Sequence, residues 1–222
     1  MKPFEELLQE SVRGHGHLCP GQVLGVRMAM RGCTLIGIDV AREASSSRCK
    51  KMIVYVEIDR CATDAISSVT GCKLGKRTMK FRDFGIMAAT FVNLETGRAF
   101  RISAREDAKT RAAHYAPEIE DRHKRELIAY QIMPDEELFE AEEVIVDIPI
   151  YDLPGRPRRK VQCHSCGEWI RDGREKRENG STLCQICAGG AYFRRFQEDN
   201  LVSTAVRSRR PPPFKDYFVE RS

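Results

Sequence analysis

Apolar residues Phe4, Leu7, Leu8 and Val12 recur at helical spacing behind Pro3, and the pattern stops at Gly14 and Gly16, which predicts a first helix. A second series, Val23, Leu24, Val26, Ala29, Met30 and Cys33, predicts another helix opening at Pro20. The β-branched run at 53–58 predicts a mostly buried strand, and a short helix over 61–69 follows it, closed by Gly71. Segments 78–82, 86–94 and 98–103 predict further strands, the last two joined as a hairpin through Glu95, Thr96 and Gly97. Residues 105–131 are charged and helical in pattern with a break at Pro117, and 144–150 return to strand character.

Pro154, Gly155, Pro157 and a basic run make 154–160 a linker. The expected organisation is a core domain over 1–153, this linker, a small module over 161–202, and a tail or docking arm over 203–222 that contains three consecutive prolines. No internal repeat is evident.

Charge divides along the same boundary. Residues 1–155 carry 22 basic and 24 acidic side chains, whereas 156–222 carry 15 and 8, so an anionic partner meets the small module first. No apolar run approaches the roughly 20 residues of a membrane helix, and residues 1–10 are acidic where a signal peptide is apolar. A cytoplasmic location is the expectation.

Nine cysteines in such a chain point to metal or thiol chemistry rather than to disulfides. Cys163 and Cys166 are separated by two residues, and Cys184 and Cys187 repeat that spacing after 17 more. Four thiolates so spaced surround a structural zinc and leave it no open position. The Asn179-Gly180 turn signal and a helical pattern at Ala191, Tyr192, Phe193 and Phe196 complete a knuckle, hairpin and helix, the order of a treble-clef finger. Arg156, Arg158, Arg159, Lys160, Arg194 and Arg195 make nucleic acid a candidate partner, although an interaction or dimerisation module is the simpler reading. His164, between two of the thiols, is expected to be exposed rather than a ligand.

The run His15-Gly16-His17-Leu18-Cys19-Pro20-Gly21 places two imidazoles and a thiol within five residues, donors that suit borderline and soft transition metals. Cys61 opens the next short helix, where the helix N-terminus is expected to lower a thiol pKa, and Cys72 follows its end. The alternative for these residues is a polar or small-residue core. Cys33 reads as a helix core residue, Cys49 as an exposed bystander beside Lys50 and Lys51, and His114 and His123 as solvated.

These motifs, together with Cys61-Ala-Thr-Asp64-Ala-Ile, Thr70-Gly71-Cys72, Phe81-Arg-Asp83-Phe-Gly85 and Ala88-Ala-Thr90-Phe91, resemble the FmdE-like proteins of formylmethanofuran dehydrogenase over roughly residues 10–150. The resemblance implies an α+β fold, with a mixed helix and antiparallel-sheet core carrying the C-terminal treble-clef zinc finger. It also implies a homodimer and a His/Cys metal or active site drawn from His15, His17, Cys19, Cys61 and Cys72. It does not imply that this chain reduces carbon dioxide. The chain departs from the pattern after Cys72, where Lys73 replaces an expected small hydroxyl residue and Arg77-Thr78 follow Gly75-Lys76. Positive charge there can stabilise an anionic ligand or a thiolate.

Three residues rather than four separate Gly71 from Gly75, so a phosphate loop is rejected, while an anion held by backbone amides and Lys76 stays open. The leading expectation is a metal-binding protein of one-carbon, molybdenum or tungsten enzyme systems, either an oxidoreductase subunit or an accessory factor. A metal held by His15 or His17, Cys19 and Cys61 would be a second transition metal beside the zinc, and Asp64 would orient an imidazole. Dehydrogenase or cofactor-enzyme subunits are the expected partners. The alternatives are a thiol-redox protein using Cys61 with Cys19 or Cys72, and a basic zinc-finger adaptor.

Overall fold

A computed structural model describes residues 3–39 and 49–193 and divides the chain into two compact units, 1–158 and 159–222. In the first unit α1 (Phe4–His15) and α2 (Pro20–Leu35) lead to β1 (Met52–Val56), α3 (Cys61–Thr70), β2 (Met79–Phe81), β3 (Ala88–Asn93) and β4 (Ala99–Ala104). Helices α4 (Ala108–Tyr115), α5 (Arg122–Ile132) and α6 (Asp135–Leu138) then precede β5 (Phe139–Glu143).

The five strands form one sheet in the order β2-β1-β3-β4-β5. Pairs from β1 through β5 are antiparallel, but β1 and β2 are parallel, with Val54 opposite Met79. The sheet is therefore mixed rather than wholly antiparallel. A parallel pair needs a crossover, and α3 supplies it. That crossover carries Cys61 and Asp64 to one end of the sheet and Cys72 to the other end of the helix.

Alternation along β1 separates two apolar faces. Met52, Val54 and Val56 face the helices with Leu7, Val26, Ile66 and Phe91, whereas Ile53 and Tyr55 join Val92 and Ala99 on the opposite face. Val144, Val146 and Ile148 cover that second face, which corrects the expected strand over 144–150. Their alternation is that of an extended segment lying across the sheet. The fifth strand is the charged Phe139-Glu-Ala-Glu-Glu, at an edge where only Phe139 is buried, and charge on an edge strand discourages further pairing.

Helix α2 is the axis of the helical layer, and its glycines set how closely its neighbours approach. A Cβ on Gly25 would lie 2.5 Å from the Ala62 carbonyl oxygen and 2.7 Å from the Ala65 Cβ, and one on Gly32 would lie 2.4 Å from the Phe91 ring. Arg27 anchors the far side, donating to the carbonyls of Tyr130 and Met133 and, at 2.6 Å, to Asp135.

The second unit contains two hairpins, β6 (Lys160–Gln162) with β7 (Trp169–Arg171) and β8 (Lys176–Glu178) with β9 (Ser181–Leu183). A single helical turn over Ile186–Gly190 follows, interrupted at Gly189 (φ +85°), and Ala191 is extended. This turn carries Cys187, the last of the four cysteines, as expected of the helix after the hairpins, but Ala191, Tyr192 and Phe193 do not continue it, and exposed Tyr192 stacks edge-on against Phe193. Phe196, Arg194, Arg195 and the expected tail over 203–222 lie outside the described residues.

Candidate metal centre

His15 is the last residue of α1, and Gly16 closes the helix in the left-handed region (φ +100°), donating to the Val12 carbonyl at 2.8 Å. Glycine takes that conformation without the steric cost of a Cβ. The reversed chain passes His17 and reaches Cys19, whose carbonyl accepts from Gln22 and Val23 as Pro20 starts α2. The ligand atoms of His15, His17 and Cys19 consequently lie within 4.8 Å of one another. Cys19 is buried and His17 exposed, so the set has a closed and an open side.

Asp64, in the first turn of α3, lies 2.9 Å from His15 Nδ1 through Oδ2. A carboxylate accepts here, so Nδ1 carries the proton and Nε2 presents its lone pair. That Nε2 is buried and has no hydrogen-bond partner among the described residues. A buried lone pair without a partner costs about 1–3 kcal/mol, which a bound cation removes. The donor set fits zinc, copper or iron, and three protein ligands leave a tetrahedral ion one open position.

Cys61 does not join that mutual set but touches it by a side-chain hydrogen bond with Cys19. Burial, and then the Cys19 thiol, push the Cys61 thiol up, which corrects the lowering expected from the helix N-terminus. Gly21 permits the approach, since a Cβ there would sit 3.0 Å from Cys61 Cβ. Gln22 ties the three helices together by donating to the Cys61 carbonyl at 2.6 Å and accepting from the Ser11 hydroxyl.

Cys72 is not part of this assembly. A helix of ten residues places about 15 Å between the two cysteines that bracket it. Cys72 is fully buried, and its thiol is pushed up to about 11 by burial, against the Thr70 and Thr78 hydroxyls. Lys76 does little to oppose this, so the expected thiolate is not found there. The Lys76 Nζ stands 3.7 Å from Cys49 Sγ. Cys49 is buried rather than exposed, because the chain enters the core at Met52 just beyond the two lysines that made it look solvated. Cys33 is a buried α2 residue, and His114, His123 and His164 are exposed.

A cavity of about 500 Å³ adjoins the His15–Asp64 pair, with Ser11, Ser68, Lys73 and Lys76 on its wall. Ser11, Gln22 and Ser68 do not stand out in the sequence. Ser11 and Gln22 are buried polar residues on otherwise apolar helix faces, a pattern visible once the helical periods are drawn.

In the second unit Cys163, Cys166, Cys184 and Cys187 bring their sulfur atoms within 4.8 Å of one another. The Cys184 amide donates to Cys163 Sγ at 3.2 Å and the Cys187 amide to Cys184 Sγ at 3.4 Å. The amides of Cys166 and Cys184 pull the Cys163 thiol down to about 6. At Cys166 the Glu168 amide pulls down, but burial and the three neighbouring thiols prevail and push it up to about 12. Four thiols this close, three of them served by amides, form a set able to hold one metal ion.

A mixed-sheet core with a histidine and cysteine centre at the junction of three helices, carrying a four-cysteine module, defines the class. The sequence model described as "FmdE, Molybdenum formylmethanofuran dehydrogenase operon" matches residues 14–140, more than half of the chain, and the chain belongs to that family. A curated relative from Archaeoglobus fulgidus, named "Probable S-adenosyl-L-methionine-binding protein", is 29% identical over 205 residues, covering 84% of this chain and 53% of the relative. The chain thus spans about half the length of that relative. The crystal structure of an FmdE-like protein of tungsten formylmethanofuran dehydrogenase from Syntrophus aciditrophicus superposes with a TM-score of 0.55 at 17% identity, covering 86% of this chain and 94% of that one. At that identity the likeness concerns the fold. Among the described residues no helix is long and apolar enough to cross a membrane.

Proposed function

We propose that this chain is a metal-binding accessory protein or subunit of a molybdenum or tungsten formylmethanofuran dehydrogenase system. It acts in the cytoplasm as a homodimer beside the dehydrogenase subunits. The core centre holds a transition metal through His15, His17 and Cys19, and Asp64 orients His15. Such a metal supplies Lewis-acid chemistry at its open position. Cys163, Cys166, Cys184 and Cys187 hold a structural zinc in a treble-clef arrangement.

The observation that carries this reading is the convergence of the three donors within 4.8 Å, together with a buried His15 Nε2 that has no partner among the described residues while Nδ1 stands 2.9 Å from Asp64. The dimer draws support from Leu74, Phe81, Phe84 and Ile86, large apolar side chains exposed along and beside the edge strand β2.

Cobalt(II) titration followed by visible absorption tests the site. Two spectrally distinct centres are expected, one with nitrogen and sulfur ligands and one with sulfur alone. His17→Ala with Cys19→Ala should remove only the first. A single sulfur-only centre in the unaltered chain would overturn the proposal.

The hydrogen bond between Cys19 and Cys61 favours a second reading, thiol exchange at that pair. Two protein thiols and an external disulfide would give one Cys19–Cys61 disulfide and two free thiols. Peptide mapping after treatment with oxidised glutathione distinguishes this pairing from one involving Cys72.

A further inference from the structure

We infer that the cavity beside His15 is an oxyanion subsite, in which a small ligand places a carboxylate or phosphate group between Lys73 and Lys76. The inference goes beyond the metal reading and does not rest on it: His15 lines the cavity, whereas His17 and Cys19 do not.

Charge is the first support. Many basic side chains of the unit are matched by acids, among them Arg31 by Asp135, Arg82 by Asp152, Arg98 by Glu143, Arg101 by Glu57 and Arg122 by Glu126, whereas a few of the described residues, such as Lys124, stand alone on open surface. Lys73 and Lys76 have no ion pair among the described residues, yet both line one cavity. The carboxylate on that wall, Asp64, is already engaged by His15 at 2.9 Å.

Negative charge opposes anion binding from two sources, the Asp64 carboxylate, which a neutral His15 leaves charged, and the helix ends. Helices α1 and α3 both end at the cavity, and each C-terminus contributes about half a negative charge that fades within a turn. Their last carbonyls are partly satisfied, Val12 by the Gly16 amide, Ser67 by the Gly71 amide and Ile66 by the Thr70 hydroxyl.

Hydrogen bonding adds selectivity. The Ser67 hydroxyl is committed to the Cys72 carbonyl at 2.8 Å, but the Ser68 hydroxyl has no partner among the described residues and can donate to the ligand. About 500 Å³ accommodates a small molecule rather than a polymer.

The test uses the full chain loaded with zinc, its metal content measured, and calorimetric titration with inorganic phosphate and, separately, sodium acetate. Saturable binding of at least one is expected, and the better of the two identifies the anion. Lys73→Gln with Lys76→Gln should weaken it at least tenfold without changing metal content or melting temperature, whereas Lys124→Gln, on an exposed face of α5, should not. No saturable binding of either anion, or equal binding by the double variant, overturns the inference. Lysine-dependent binding in a protein that takes up no core metal retains the subsite and contradicts the metal reading.

Discussion

His15 Nδ1 stands 2.9 Å from Asp64 Oδ2, joining the last residue of α1 to the first turn of α3 across 49 positions of sequence. The ring it holds has a buried Nε2 with no hydrogen-bond partner among the described residues and a donor atom within 4.8 Å of those of His17 and Cys19. Such carboxylate partners typically change metal affinity by about 10- to 100-fold. Asp64→Ala should therefore weaken core-site zinc binding by about that factor in a chelator competition and leave the four-cysteine site unchanged.

Close helix packing is a second determinant of the site. Gly25→Ala drives a Cβ into backbone atoms of Ala62, and overpacking of this kind costs about 1–3 kcal/mol or more. Since Ala62 follows Cys61, the same change should also displace the cysteine from Cys19. Gly14→Ala meets nothing within 4 Å and lies inside α1, so it should stabilise by roughly 0.5–1 kcal/mol. Urea denaturation of both variants checks the contrast.

The Cys72 thiol makes stability depend on pH. Its folded value is raised from 9.0 to about 11, so the folded state holds the proton more tightly than the unfolded chain. The associated stability is complete below pH 9 and is lost as pH rises toward 11, roughly 2–3 kcal/mol in all. Thr70, Thr78, Cys49 and Lys76 are the groups around it. Denaturation curves between pH 8 and 11 should show this decline, and Cys72→Ala should flatten it despite a lower starting stability.

Removing metal should affect the two units differently. Among the described residues of the small unit the buried hydrophobic ones are Cys163, Ile170 and Cys184, too few to hold that region folded without an ion. Hydrogen exchange after chelation should show loss of protection over 160–187, while β1, β3 and β4 stay protected.

Much of this organisation is readable from residue patterns. Pro20 and Gly16 mark helix boundaries whose chemistry is local, and the paired cysteine spacings identify a cluster without knowledge of the fold. The parallel β1–β2 pair is not readable, because it depends on which side of β1 the chain returns from α3. Strand β5 is hidden because an edge strand needs no apolar face, while Val144, Val146 and Ile148 imitate one. In the site, the His15–Asp64 contact and the separation of Cys72 from Cys61 both follow from the length and placement of α3. Asp64 could be read from the sequence as a partner for an imidazole, but that the imidazole is that of His15, and how far Cys72 lies from Cys61, are fixed only by the three-dimensional arrangement.

The most direct test of the central claim is metal content per chain, measured by inductively coupled plasma mass spectrometry after zinc loading and gel filtration. Two equivalents are expected in the unaltered protein. One should remain in Cys184→Ala with Cys187→Ala, and one in His15→Ala with Cys19→Ala. A single equivalent in the unaltered protein, with none left once Cys184 and Cys187 are replaced, would contradict the account.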